Sequence, residues 1–114
     1  MNLAETGVSQ GSLVLFSDFE NDGPMWAGQG PRSVRRIVVF DRPFLDSPAV
    51  HVGLGMWDIA GGANQRVDVL AEDVTAEGFV IRFQTWGDTR IARVRADWLA
   101  IGRVPHPDDF DVPD

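Results

Sequence analysis

A chain of 114 residues with 44% hydrophobic content, 7 Phe and 4 Trp is long enough to bury one core as a single domain without covalent staples. The lack of cysteine removes disulfides, thiolate metal sites and a cysteine nucleophile together. Seventeen acids against 10 bases leave a formal net charge of −7, which argues against nucleic acid as a partner, because phosphate recognition needs a concentrated basic surface.

The N-terminal stretch shows no positively charged start followed by an apolar run, and no segment approaches the roughly 20 apolar residues of a membrane span. The expectation is synthesis in the cytoplasm, followed by release or by attachment to a particle or surface, with no membrane insertion. Residues Met1 to Gln10 are polar and weakly patterned and read as a lead-in, or as an arm lying on a neighbour. A first strand covers Leu13-Val14-Leu15-Phe16 after Gly11. Sixteen residues without a clear period follow, from Ser17 to Arg32, longer than most connections in a compact domain. Within them Asp18-Phe19-Glu20-Asn21-Asp22-Gly23 imitates the start of a calcium loop. The twelfth position, where a bidentate acid belongs, is Gln29, and the flanks are not helical, so no metal site is assigned.

The second strand is Val34 to Phe40, closed by Asp41-Arg42-Pro43-Phe44 and Asp46-Ser47-Pro48. In the third, Ala49 to Trp57, alternation places Val50, Val52, Leu54 and Met56 on one face and His51, Gly53, Gly55 and Trp57 on the other. Two glycines on one face suggest close approach of another backbone or another protomer. After a loop at Gly61-Gly62, a fourth strand runs from Gln65 to Asp73 with Val67, Val69 and Ala71 inward and Arg66, Asp68, Leu70 and Glu72 outward. Thr75-Ala76-Glu77-Gly78 is a hairpin turn into the fifth strand. There Phe79, Ile81, Phe83 and Thr85 share one face, while Val80, Arg82, Gln84 and Trp86 share the other. The sixth, Arg90 to Gly102, puts Ala92, Val94, Ala96, Trp98 and Ala100 inside and Ile91, Arg93, Arg95, Asp97 and Leu99 outside. Six period-2 runs without a convincing helix describe an all-β, antiparallel β-sandwich. The domain boundaries read as 1–10 for the arm, 11–102 for the sandwich and 103–114 for a Pro- and Asp-rich acidic tail.

Catalysis finds little support. The two histidines, His51 in mid-strand and His106 in the tail, form no nucleophile–base–orienter arrangement by spacing. No cofactor is implied. Trp86 leaves its strand on the outward face just before Gly87-Asp88, so an indole stands beside turn amides and a carboxylate. The apolar face of a sugar can stack on such a ring while neighbouring polar groups bind its hydroxyls. Arg66 leaves its strand on the same side and is suited to donate to vicinal hydroxyls; Asp88 is suited to accept. The plainer alternatives are a salt bridge from Arg66 to Asp88 or Asp68, and hydrogen bonding of Asp88 within its own turn. The outward faces of strands four to six mix Arg66, Asp68, Glu72, Arg82, Arg93, Arg95 and Asp97 with Leu70, Ile91 and Leu99, which suits either solvated surface or an interface between protomers.

The order of several short motifs is more specific. Phe16-Ser17-Asp18-Phe19, Arg42-Pro43-Phe44, Ser47-Pro48-Ala49-Val50-His51-Val52, Asn64-Gln65-Arg66-Val67, Val74-Thr75-Ala76-Glu77-Gly78-Phe79, Thr85-Trp86-Gly87-Asp88-Thr89 and Trp98-Leu99-Ala100-Ile101-Gly102 follow one another over Gly11 to Gly102. Together they resemble the H-type lectin family, the snail-agglutinin and discoidin C-terminal domains. The resemblance implies a six-stranded antiparallel sandwich that trimerises, in some members stacking into hexamers. It also implies binding of galactose- or N-acetylgalactosamine-type glycans in clefts between protomers of a homotrimer. On it, the family's binding arginine falls on Arg66, its strand-five tryptophan on Trp86, and its following histidine on Gly87, a departure. The glycine and aspartate that a partner protomer supplies from the long loop fall near Ala27, Gly28 and Gln29, where no aspartate stands. The implied carbohydrate site is therefore Arg66, Trp86, Gly87 and Asp88 with Gly28 and Gln29. A decayed cleft would leave the other expectation: a trimeric adhesion or structural module of a fibre or spike.

Overall fold

A computed structural model describes residues 4–106. Six strands and one helical turn make two antiparallel three-stranded sheets. The first sheet has the order β1 (Ala4–Ser17), β6 (Ile91–Pro105), β3 (Ala49–Ile59); the second has β2 (Arg32–Val39), β5 (Gly78–Thr85), β4 (Asp68–Glu72). The all-β, six-stranded expectation holds. The helical turn α1 (Pro24–Ala27) lies inside the long loop and had no signature in the residue pattern. A single turn is too short to display a 3.6-residue period.

The sheets face each other across a core in which Phe79, Ile81, Phe83 and Thr85 of β5 all lie inward and buried, as the alternation requires. Val94, Ala96 and Ala100 of β6 meet them from the opposite sheet. Ring contacts knit the two layers. Phe40, Phe79 and Trp98 form a mutually touching set with centroids 5.4–5.8 Å apart, and Phe16 meets Phe83 at 5.4 Å. Trp98 is half-buried and packs on the core from its end. It lies over Gly11, where a Cβ would stand 2.8 Å from the indole, so the small residue in β1 makes room for the large one in β6.

Three β-bulges shift residues off the simple alternation. The slip between Val14 and Phe16 turns Leu15 and Phe16, consecutive in sequence, both into the core. A second slip, between Asp58 and Ile59, skips Ala92 in the pairing, so Ile91 and Ala92 are both buried; Ile91 is therefore a core residue and not the outward one expected. The third slip falls at Gly55. It sets Met56 opposite Arg95 and Trp57 opposite Val94 in the pairing, yet Met56 is half-buried and Trp57 stays 57% exposed, as the alternation expects. Gly55 makes room for a side-chain pair of its own sheet. A Cβ there would collide with the Asp97 carboxylate, and its carbonyl accepts from Arg95 Nη2 at 2.9 Å. A Cβ at Gly53 would be in ordinary contact with His51 Nε2, at 3.7 Å.

The first sheet also runs past both limits read from the sequence. Residues 4–10 are the first half of β1 and pair with 99–105 of β6, so the arm lies on a neighbouring strand of its own chain. The pairing of β3 with β6 begins at Ala49↔Ile101, and beyond it β1 and β6 continue as a two-stranded ribbon to Ala4↔Pro105. The described residues accordingly measure 64 × 21 × 17 Å. The tail from 107 onward lies outside the described residues.

Because Trp98 joins the two layers, Trp98→Ala is expected to destabilise the fold by about 3–5 kcal/mol, read as a lower denaturant midpoint with an unchanged slope in an equilibrium unfolding titration.

Candidate functional site

The fourth strand is shorter than the alternation suggests, starting at Asp68 rather than Gln65, and the reason builds the site. The backbone of residues 64–66 is held by side chains instead of a strand ladder. Thr85, the last residue of β5, donates its hydroxyl to the Arg66 carbonyl. Thr89 donates its hydroxyl to the Asn64 carbonyl and accepts from the Arg66 amide at 3.0 Å. Both threonines are almost wholly buried, at 1% and 0% exposure. Two buried hydroxyls on either side of the turn thus fix the position of Arg66 relative to Trp86-Gly87-Asp88.

Arg66 then folds onto that turn. Its Nη1 donates to Asp88 Oδ1 at 2.9 Å. With the Asn64 amide oriented to satisfy its neighbours, its oxygen accepts from Nη1 and Nη2 of Arg66 at 3.2 and 3.3 Å. Gly87 has φ +72°, and a Cβ there would stand 3.1 Å from Arg66 Nη1. Any side chain at 87 would be strained by the left-handed backbone and pressed against the guanidinium. Glycine at 87 therefore fits the way Arg66 closes over the turn. Asp68 pairs with Gln84 Nε2 at 2.8 Å, so of the two salt bridges open to Arg66 in the sequence the one to Asp88 forms. Desolvation pushes the Asp88 carboxyl up, but it is outweighed by hydrogen bonds from the backbone amides of Asp88 and Asn64, the positive charge of Arg66 and the Asn64 side chain. The net effect holds Asp88 below the usual carboxylate range.

Trp86 is 43% exposed, one residue before the Arg66–Gly87 contact. The long loop arrives at the same turn. Gly30 N–H donates to the Gly87 carbonyl at 2.9 Å. Arg32 acts as a clamp that residue spacing did not reveal: Nε donates to Gly30 O at 2.9 Å, Nη1 to Met25 O at 3.2 Å and Pro24 O at 3.3 Å, and Nη2 to Gly87 O at 3.3 Å. Burial lowers the pKa of its guanidinium. Gly28 ends α1, its N–H bonded to Pro24 O at 2.8 Å, and a Cβ there would come within 2.5 Å of that oxygen. Its place is set by the helix end; Gln29 beside it is exposed. The acidic run that imitates a calcium loop serves the same segment. Asp18 Oδ2 accepts from Met25 N–H at 2.9 Å, in place of the cap that Gly23 cannot supply. Next to it, Arg90 stacks its guanidinium 4.3 Å from the Trp26 ring centroid and donates from Nε to Trp26 O. The structure therefore brings Arg66, Gly87, Asp88 and the end of the Gly28–Gln29 loop together at one end of the sandwich, within a single chain. The signal that could have found Arg32 is its place at the end of a long loop whose carbonyls no strand ladder holds.

The model of the H-type lectin domain matches residues 35–101, more than half of the chain. The chain belongs to the H-type lectin family. Its relatives include the "ATP synthase subunits region ORF 7" protein of Fuscovulum blasticum, 57% identical over 96% of this chain and 95% of that one. Discoidin-2 of Dictyostelium discoideum is 30% identical over 70% of this chain but 32% of its own length. The solved structure of discoidin II from the same organism superposes with a TM-score of 0.72 at 26% identity, over 86% of this chain and 37% of that one. This H-type lectin domain thus spans about a third of the discoidins it matches. The tailspike protein gp49 of Pseudomonas phage LKA1 shares the fold alone, with a TM-score of 0.52 at 14% identity. Membership supports a carbohydrate-binding domain. No helix among the described residues is long and apolar enough to cross a membrane.

Two outcomes follow. Thr89→Val, which keeps the shape but removes the hydroxyl, leaves the Asn64 carbonyl and the Arg66 amide unpaired. It is expected to cost about 1–3 kcal/mol in thermal or chemical denaturation. Asp88, with a depressed pKa, contributes to stability above the ordinary carboxylate range and loses that contribution only as pH falls through its folded value. A carbon-detected NMR titration should show its carboxyl midpoint below the ordinary 3.8, and Arg66→Ala should raise it.

Proposed function

We propose that this domain binds galactose- or N-acetylgalactosamine-type glycans at clefts between protomers of a homotrimer, serving adhesion or recognition. The observation that carries the reading is a pinned donor–acceptor pair, Arg66 and Asp88, on the turn that follows the exposed indole of Trp86. The guanidinium offers fixed N–H donors, the carboxylate stays ionised and accepting, and the indole offers a face for the C–H surface of a pyranose. Discoidins, to which the chain is similar, are H-type lectins by family, and the family match covers the segment that carries Arg66 and Trp86. In this reading the loop with Gly28 and Gln29 forms one wall of a cleft, held by Arg32 to the turn of its own chain and presented to the adjoining protomer.

A second reading rests on a specific feature. With Gly87 in place of a histidine and Arg66 already satisfied by Asp88, the site has fewer free polar groups for a sugar. A trimeric structural or adhesion module of a larger assembly, with a degenerate sugar site, fits that loss.

A glycan array on protein of known oligomeric state separates the two. Binding is expected on galactose-type glycans, weakened at least about tenfold (~1.4 kcal/mol) by Trp86→Ala. Binding to no glycan, or binding indifferent to that substitution, removes the lectin reading and leaves the module.

A further inference from the structure

Beyond the last pairing of β3, at Ala49↔Ile101, β1 and β6 run on alone to Ala4↔Pro105. A two-stranded ribbon with no third strand and no layer packed on it is marginal in water. This one has a face shaped to receive such a layer. Gly7 pairs with Gly102 across it. A Cβ at Gly102 would stand 2.9 Å from both Phe44 and Pro48, and one at Gly7 would stand 2.4 Å from Val104, so both glycines lie on the side turned toward the loop that follows β2. Between that side and the loop runs a groove of about 930 Å³, with Val8, Val104 and Pro105 on the ribbon wall and Arg42, Pro43 and Phe44 on the loop wall. Its volume is in the range of pockets that take a drug-sized molecule or several side chains. β6 begins two residues after Thr89 and ends at Pro105, so the groove and the candidate site lie at opposite ends of the molecule.

The groove is apolar with a cation at its edge. Val8 is 63% exposed on its wall. Arg42 is exposed too and, among the described residues, pairs with nothing. Every other arginine of the described residues makes a hydrogen bond or an ion pair within the chain. Asp41 is the one acid among the lining residues.

The sequence supplies an occupant of matching chemistry. Residues 107–114, outside the described residues, follow directly on Pro105 and His106 and so start from the groove's own wall. They hold Asp108, Asp109, Asp111 and Asp114 around two apolar residues, Phe110 and Val112. His106 Nε2 lies 3.3 Å from Glu5 of β1, which keeps the point of departure against the ribbon. Phe110 is four residues further on, a reach of up to ~14 Å for an extended chain.

We propose that residues 107–114 turn back along the ribbon of their own chain and fill this groove, with Phe110 and Val112 against Val8, Phe44 and Val104 and an aspartate on Arg42. Charge favours this occupant, because an acidic segment on a chain of net charge −7 finds few unpaired cations and Arg42 is one of them. Attachment favours it as well. A short tether holds the segment at an effective concentration on the order of millimolar, ahead of a free peptide or the same segment of a second copy. The segment gives the ribbon the apolar layer that a two-stranded pair lacks. The inference goes beyond the glycan reading and does not rest on it.

NMR on the full, isotope-labelled chain tests it. Cross-relaxation is expected between the Phe110 ring and the methyl groups of Val8 and Val104. In a mixture of labelled and unlabelled chains it is expected within chains only. Phe110→Ser is expected to speed hydrogen exchange of the ribbon amides of residues 4–8 by about tenfold or more, through loss of a buried aromatic layer, while the amides of β5 keep their rates. Arg42→Glu, at an exposed position, is expected to move the Phe110 ring signals toward their free-peptide positions, and added salt to do so in part. Absence of Phe110 contacts with Val8 and Val104, contacts found only between chains, or ribbon exchange indifferent to Phe110→Ser overturns the proposal. Contacts that survive Arg42→Glu unchanged overturn the pairing given to Arg42.

Discussion

The candidate site depends on two buried hydroxyl groups. Thr85 and Thr89 bracket the turn at the end of β5 and reach across to the backbone of residues 64–66, which no strand partner holds. A buried donor or acceptor without a partner is costly, so these bonds are effectively obligatory once the core has closed over them. They fix the backbone of Arg66, and a fixed backbone is what lets a long, flexible arginine adopt one geometry against Asp88. The chain keeps a threonine at each end of Thr85-Trp86-Gly87-Asp88-Thr89, and both threonine side chains point inward while Trp86 and Asp88 between them are exposed. Core packing and site geometry are therefore the same event at this turn.

The long loop is held in a different way. Met25 is the one buried apolar residue of α1, Phe19 and Trp26 meet edge to face nearer the surface, and the loop's single helical turn is too short to be stable alone. Its order comes from polar groups at both ends. Asp18 caps the start of α1, and Arg32 gathers the carbonyls of Pro24, Met25, Gly30 and Gly87. Charge-assisted bonds of this kind are stronger than neutral ones, and a planar guanidinium with five donors is suited to holding several carbonyls at once. One side chain thus ties the loop to the turn that carries Trp86. The acidic residues that resemble a cation site and the arginine that resembles a surface charge are both employed on the backbone.

Much of the architecture was legible because a two-sided sheet imposes a period of two. Phe79, Ile81, Phe83 and Thr85 declared the inner face of β5, and Ala92 to Ala100 that of β6. The alternation failed at Leu15–Phe16 and at Ile91, in each case beside a β-bulge. A bulge inserts one residue into one strand, and its position depends on the partner strand, which local sequence does not contain. The polar look of residues 4–10 concealed a strand for a related reason. Beyond β3 the two-stranded ribbon touches the core through Val104 of β6, so residues 4–10 of β1 carry no regular apolar face.

The chain by itself determined the fold class, the family, the inward faces of the central strands and the residue types at the candidate site, Arg66, Trp86, Gly87 and Asp88. Those follow from periodicity and from short motifs, which are properties of neighbours in sequence. Only the tertiary structure decided that Arg66 pairs with Asp88 and not Asp68, that Gly87 leaves the space in which this happens, and that Arg32 brings a distant loop to the same turn. It also decided which outward faces lie back to back. These are relations between residues about 20 to 55 positions apart, set by how two sheets stack and where strands slip. Side-chain chemistry can be read along a chain; the partner each group finds depends on the packing that brings the segments together.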